Sequence, residues 1–396
     1  MRIAFVAEYP ASPERVVGGV QAVVRRLAGA MARRGDLDVH VVSCQLDVTR
    51  AHTEVLEGIQ VHRVPAPRRF GNVTLGWGER RATARALREL APDIAHAHVL
   101  GPPTLGTAAA GVPWVATAHG IQGAYRRRLS GGLNRVRGWS YEKMEEMSLR
   151  VVERLIVISP YVLEYFGERL RGIRVDRIEN PVDDSFFAIE DPGDPRTILY
   201  SGRLVPLKDP ETLLAAAGIL AAAGKDFELR LAGPADDASY AAELERRASA
   251  LGLGERVVFL GSLSPLELAA EMARAGVFVL PSRQETASVA IMEAMAAARP
   301  IVATDVGGNR YLVEDGVTGW LVPVGRPTEL AAALARLLAD PQAARRLGAA
   351  GRAVAAERFT TASVVDRTLA VYRDVSEGGA SGRTSGGAGS KARNHL

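Results

Sequence analysis

Residues 2–43 open with Arg2-Ile3-Ala4-Phe5-Val6-Ala7 and pass through Gly18-Gly19-Val20 into a stretch where Val20, Val23, Val24, Leu27 and Met31 recur at three- and four-residue steps. Gly35 follows, and then the β-branched run Val39-His40-Val41-Val42-Ser43. The first run has the length and apolarity of a buried strand. The second has helical spacing, which leaves Arg25, Arg26, Arg33 and Arg34 for solvent, and Gly35 is placed to stop it. Strand, helix and strand in this order build a parallel pair, because parallel neighbours need a long crossover that a helix supplies.

Working outward, further short apolar runs fall at residues 94–98, 114–118 and 154–158, with helix-like spacing between them. A second series occupies residues 198–200, 228–231, 257–260, 277–280 and 301–303. The fold class is therefore α/β, with two Rossmann-like parallel-sheet units. Between the series, Glu190-Asp191-Pro192-Gly193-Asp194-Pro195-Arg196 combines two prolines, a glycine and charge, the composition of a linker. The expected domains are residues 1–189 and 190–360. Val364, Val365, Leu369, Val371 and Tyr372 predict a closing helix over 361–375 that belongs with the first domain, and the Gly/Ser-rich stretch 376–396 is expected to be disordered.

Composition narrows the function. At 396 residues the chain has room for two to three domains at about 150 residues each. Hydrophobic residues make up 47% and charged residues 24%, a globular balance. A net charge of +4 is small for this length and disfavours a dedicated nucleic-acid binder. Nothing at the start has the tripartite pattern of a signal peptide, and no stretch offers the roughly 18 uninterrupted apolar residues of a membrane span. Cys44 is the only cysteine, so an internal disulfide is excluded and a cytoplasmic location is expected.

Chemistry-bearing residues cluster where strands end, the edge at which open α/β sheets bind ligands. After the run closing Leu280-Pro281-Ser282 comes Glu285-Thr286-Ala287-Ser288-Val289-Ala290-Ile291-Met292-Glu293. A helix starting near Ala287 leaves Glu285 in the loop and puts Glu293 about two turns inside, so the carboxylates meet different parts of a ligand. The amides of residues 286–289 would crown that helix, a natural seat for phosphate. A second reading keeps Glu293 as a helix-surface residue. Ser201-Gly202-Arg203-Leu204-Val205-Pro206-Leu207-Lys208 follows the first strand of the second series, and its Arg203 and Lys208 suit a leaving pyrophosphate or, more simply, a solvated loop. Gly18-Gly19 lets amides approach a phosphate before the first helix, and Thr117-Ala118-His119-Gly120 offers an imidazole at a strand end, with a structural histidine as the alternative. His96-Ala97-His98 alternates along a strand without an evident third metal ligand, and Asp36-Leu37-Asp38 reads as a turn.

Together these segments resemble the family-four retaining glycosyltransferases, the glycogen synthase and mannosyltransferase-like "glycosyl transferases group 1". The resemblance covers the chain to about residue 375. It is carried by the Glu-seven residues-Glu spacing of Glu285 and Glu293, by Ala294-Met295-Ala296, Arg299-Pro300-Ile301-Val302-Ala303-Thr304 and Gly307-Gly308, and by Asp315-Gly316-Val317-Thr318-Gly319. It implies a GT-B architecture, two Rossmann-like domains facing across a cleft. It further implies a UDP- or GDP-sugar donor, a hydroxyl acceptor (glycan, lipid or small molecule), and retention of anomeric configuration with no metal or other cofactor. Carried over residue by residue, it places His119 and Glu285 at the transferred sugar and Gly19, Arg203, Lys208, Ser288 and Val289 at the diphosphate. Glu293 falls on the ribose, and Gly261 and Leu263 beside the base. The chain departs from the pattern at Ser288, where a glycine is usual, and at Asn309-Arg310, where a glutamate is frequent, which bears on donor preference.

A nicotinamide oxidoreductase is disfavoured because no G-x-G-x-x-G follows the first strand. An epimerase or a catalytically silent nucleotide-sugar binder remains the alternative. For the acceptor side, Tyr125-Arg126-Arg127-Arg128-Leu129 and Arg135-Val136-Arg137-Gly138-Trp139, with Arg68, Arg69, Arg80 and Arg81, leave open a solvated face, an anionic acceptor or peripheral contact with an anionic membrane on its inner face.

Overall fold

The computed structural model describes residues 1–11, 18–45, 48–66, 76–121 and 132–383, without side-chain detail at 132–137 and 378–383. Two sheets form its centre. The first has eight strands among the described residues, ordered β3-β4-β2-β1-β5-β6-β7-β8. These are β1 (Arg2–Val6), β2 (Asp38–Gln45), β3 (His52–Leu56), β4 (Ile59–Pro65), β5 (Ile94–Ala97), β6 (Trp114–Ala118), β7 (Arg154–Val157) and β8 (Arg174–Arg177). All pairings are parallel except β3 with β4. The second sheet has six parallel strands ordered β11-β10-β9-β12-β13-β14, with β9 (Asp194–Ser201), β10 (Glu228–Ala232), β11 (Val257–Gly261), β12 (Ala275–Leu280), β13 (Ile301–Thr304) and β14 (Gly319–Val322).

Strand order reverses beside β1 in the first sheet and beside β9 in the second, so a crevice opens at the carboxyl ends of β1/β5 and of β9/β12. Gly18-Gly19 follows β1, His119 follows β6, Arg203 and Lys208 follow β9, and Glu285 follows β12, each beyond the carboxyl end of its strand. The buried faces justify the strands: β12 is buried at every position, and Ile3, Phe5, Val39 and Val41 fill the first core.

The chain passes between the domains twice, side by side. Val182 N–H donates to the Phe359 carbonyl at 2.8 Å, and the Thr361 hydroxyl donates to the Val182 carbonyl at 2.8 Å. Val182 and Phe186 pack into the second core although they precede residue 190. The segment read as a linker, residues 190–196, has no buried residue, and it and the residues before it are anchored by two arginines of the second domain. The fully buried Arg299 guanidinium donates to the carbonyls of Ala275 and Asp191, and Arg352 donates to those of Phe187 and Ile189. The closing helix Thr361–Arg383 returns Val364, Leu369 and Tyr372 to the first core. It runs on to Arg383, beyond the expected end at 375; residues after 383 lie outside the described part. No helix among the described residues is long and apolar enough to cross a membrane.

Candidate active site

Two helix N-termini meet across the crevice. The helix Gly19–Ala32 begins behind Gly18, whose φ of +90° is open to glycine at little cost, and carries no side-chain cap. The helix Val289–Ala296 begins behind Ser288, whose hydroxyl accepts from Ile291 N–H at 3.3 Å. A Cβ on Gly19 would sit 3.7 Å from Val289 Cγ2, so the two starts are in contact distance from opposite domains. Each start concentrates roughly half a positive charge on its free amides, and the pair favours an anion between them.

The loop that carries Glu285 is held on every side. Glu285 accepts from Lys208 Nζ at 2.5 Å and from the Ser282 hydroxyl at 2.6 Å, both at Oε1, and is 9% exposed. Gly308 N–H donates to the Glu285 carbonyl at 2.9 Å. A Cβ on Gly308 would lie 1.8 Å from the Thr286 carbonyl oxygen, which explains the double glycine: no other residue lets the turn approach this loop. From the first domain, the Ser159 hydroxyl donates to the Thr286 carbonyl at 2.7 Å, and Glu164 accepts from the Tyr311 hydroxyl of the second domain.

Lys208 is presented by a tight turn. Its N–H donates to the Val205 carbonyl at 2.9 Å, and Asp209, with φ of +51°, caps the helix Pro210–Ala222 through Thr212. Arg203 forks onto Asp236 at the rim, where both side chains are 45% exposed. An exposed pair of this kind is weak, so a diphosphate could draw Arg203 inward at small cost.

Glu293 is 5% exposed and accepts from Arg26 Nη2 at 2.6 Å across the domains. Burial pushes its carboxyl up and Arg26 opposes the shift. This corrects two readings. Glu293 is not a helix-surface residue, and Arg26 does not face solvent, because its long side chain spans the crevice to a carboxylate of the other domain. Arg25 likewise turns to Glu57. Periodicity within one helix carries no signal for a neighbour supplied by a distant part of the chain.

His119 lies partly buried beside His98, with His98 Nδ1 and His119 Nε2 2.8 Å apart. Desolvation pushes its imidazole down to about 4, so it is neutral at ordinary pH and offers one donor and one acceptor. His96 bonds the Tyr372 hydroxyl and the Thr117 hydroxyl, each at 2.6 Å, and its ring centroid lies 3.9 Å from that of His98. The strand pair therefore packs behind His119 in the first domain. Gly261 ends β11 with φ of +67°, and Leu263 packs partly buried against the second core. Asp38 bonds Arg2 and opens β2, and Asp36 pairs with Arg34.

Of the basic segments, residues 125–129 and Arg68 and Arg69 lie outside the described residues, as do the side chains of Arg135 and Arg137. Trp139 is exposed. On the helix Trp77–Leu90, Arg81 lies over the exposed Trp77 ring, 4.4 Å from its centroid.

Two facing domains, helix ends around a crevice and a Lys–Glu pair within it define a class, and comparison with known proteins agrees. Residues 182–354 match the family described as "Glycosyl transferases group 1", and residues 17–186 match "Glycosyltransferase Family 4". The chain belongs to these glycosyltransferases and has the GT-B fold. It is 30% identical to an α-maltose-1-phosphate synthase from Mycolicibacterium smegmatis, across 95% of this chain and 100% of that protein. An α-D-kanosaminyltransferase from Streptomyces kanamyceticus is 34% identical over 45% of either chain. Among solved structures, a sucrose-phosphate synthase from Thermosynechococcus elongatus superposes with a TM-score of 0.77 at 25% identity, covering 95% of this chain and 99% of that one.

Proposed function

We propose that this glycosyltransferase moves a hexosyl unit from a UDP- or GDP-sugar to a hydroxyl acceptor with retention of configuration and without a metal ion. The observation that carries the reading is the meeting of the Gly19 and Val289 helix starts beside Lys208. Backbone amides and cations there do for a diphosphate what a divalent ion does elsewhere, neutralising the charge that grows as the glycosidic bond breaks. Arg203 adds a second cation from the rim once it leaves Asp236. Ser288 contributes its amide at the same helix start. Glu293 takes the ribose, the stretch from Gly261 to Leu263 lies by the base, and His119 and Glu285 flank the transferred sugar.

A double displacement of the glycosidase type would need two carboxylates about 5 Å apart at the anomeric carbon. With Glu293 assigned to the ribose, Glu285 is the one carboxylate of the assigned site left for the sugar. The acceptor hydroxyl then attacks on the face the phosphate leaves, its proton passing to a departing phosphate oxygen, with positioning and charge stabilisation supplying the rate. Proton NMR of the first product formed, with EDTA present, tests this. The expected product keeps the donor's anomeric configuration at an undiminished rate; an inverted product, or a rate abolished by EDTA and restored by a divalent cation, contradicts it.

A further inference from the structure

Arg26 has no place in the roles read from the sequence, yet it makes the cross-domain contact closest to the residue assigned to the ribose. It projects from the helix Gly19–Ala32, donates through Nη2 to Glu293 Oε1 at 2.6 Å and reaches the Pro181 carbonyl at 3.5 Å through Nη1. The side chains are 15% and 6% exposed, so both charges are largely out of water. Among the described residues no other group bonds this carboxylate, and Arg26 occupies only Oε1. We propose that Arg26 is a positioning residue for the donor: it pairs with Glu293 and holds its carboxyl group in place, with Oε2 presented to the cis-diol of the donor's ribose. This rests on the assignment of Glu293 to the ribose.

The alternative is a latch, in which ribose must expel Arg26. Expulsion would leave a buried carboxylate with neutral hydroxyls and no counter-charge, which is the costlier arrangement. Sharing keeps the charge balanced, and a charged acceptor binds hydroxyls more tightly than a neutral one. The groups acting on Glu293 are Arg26, which favours its charged form, and Asp183, which caps the adjacent helix Asp184–Phe187 and disfavours it. Removing Arg26 leaves burial and Asp183 acting together, and Glu293 then takes up a proton as the pH falls.

The test compares UDP, GDP and ADP with their 2′-deoxy counterparts by calorimetry, in the wild-type chain and in Arg26→Gln, Arg26→Lys and Glu293→Gln, with ligand-free thermal unfolding as a control for folding. For the tightest nucleotide, the wild-type chain is expected to prefer the ribo form by about tenfold or more, with little change between about pH 8 and about pH 6. In Arg26→Gln that preference shrinks toward unity as the pH falls, and Arg26→Lys restores it. Ribonucleotide binding by Arg26→Gln that equals or exceeds wild type at every pH overturns the proposal in favour of a latch. Full ribo preference in Glu293→Gln instead overturns the ribose assignment beneath it.

Discussion

Glu285→Gln is expected to lower turnover by about 10²- to 10³-fold while changing nucleoside diphosphate affinity by no more than about threefold. Lys208 and the Ser282 hydroxyl both donate to Oε1 of Glu285. In the glutamine variant those donors require the amide oxygen at that position, so the NH₂ group takes the place of Oε2. An acceptor for sugar hydroxyls becomes a donor. The negative charge that would face a carbon becoming cationic in the transition state is removed as well. A nucleotide held, as proposed, at the two helix starts would feel little of this. Steady-state rates beside calorimetric binding of the nucleoside diphosphate check the split; unchanged turnover, or an equal loss of nucleotide affinity, contradicts the role.

Lys208→Ala is expected to weaken nucleoside diphosphate binding by about 10- to 100-fold, the scale of one charge-assisted hydrogen bond to phosphate. The loss has a second source. Glu285 is 9% exposed, and without Lys208 its charge keeps only the Ser282 hydroxyl. Because Lys208 is itself partly open to water, with 24% of its side chain exposed, the accompanying loss of stability should be modest, about 1–2 kcal/mol. Calorimetry and ligand-free thermal unfolding separate the two effects. A variant that is less stable yet binds the nucleotide as tightly as wild type would confine Lys208 to a structural role.

The sequence carried the architecture well because buried parallel strands are short apolar runs and their helices are amphipathic: β1, β2, β10 and β12 all lie where such runs do. The strands that escaped notice are edge strands or lie near an edge. β8 reads Arg174-Val175-Asp176-Arg177 and β14 reads Gly319-Trp320-Leu321-Val322, and neither alternates cleanly. A helix anchored by its first turns also propagates cheaply past its contacts, which is how Thr361–Arg383 outruns the composition of its end. In the site, strand ends announced where Glu285, Lys208, Gly19 and His119 belong. What they could not announce was which side chains pair. Arg26 with Glu293 across the crevice, and Arg203 with Asp236 between neighbouring strand ends of one domain, depend on where distant segments come to rest, and a solvent-facing arginine has the same helical spacing as one that reaches another domain.

The most direct test of a nucleotide-sugar donor is thermal unfolding against UDP-, GDP-, ADP- and dTDP-sugars, with NAD and NADP as controls and no added metal. A ligand at 100 times its dissociation constant should add about 2.7 kcal/mol, enough for a clear upward shift. Stabilisation by a UDP- or GDP-sugar and not by the nicotinamide nucleotides is the expected result. Stabilisation by NAD or NADP alone, with every nucleotide sugar silent, would contradict the account.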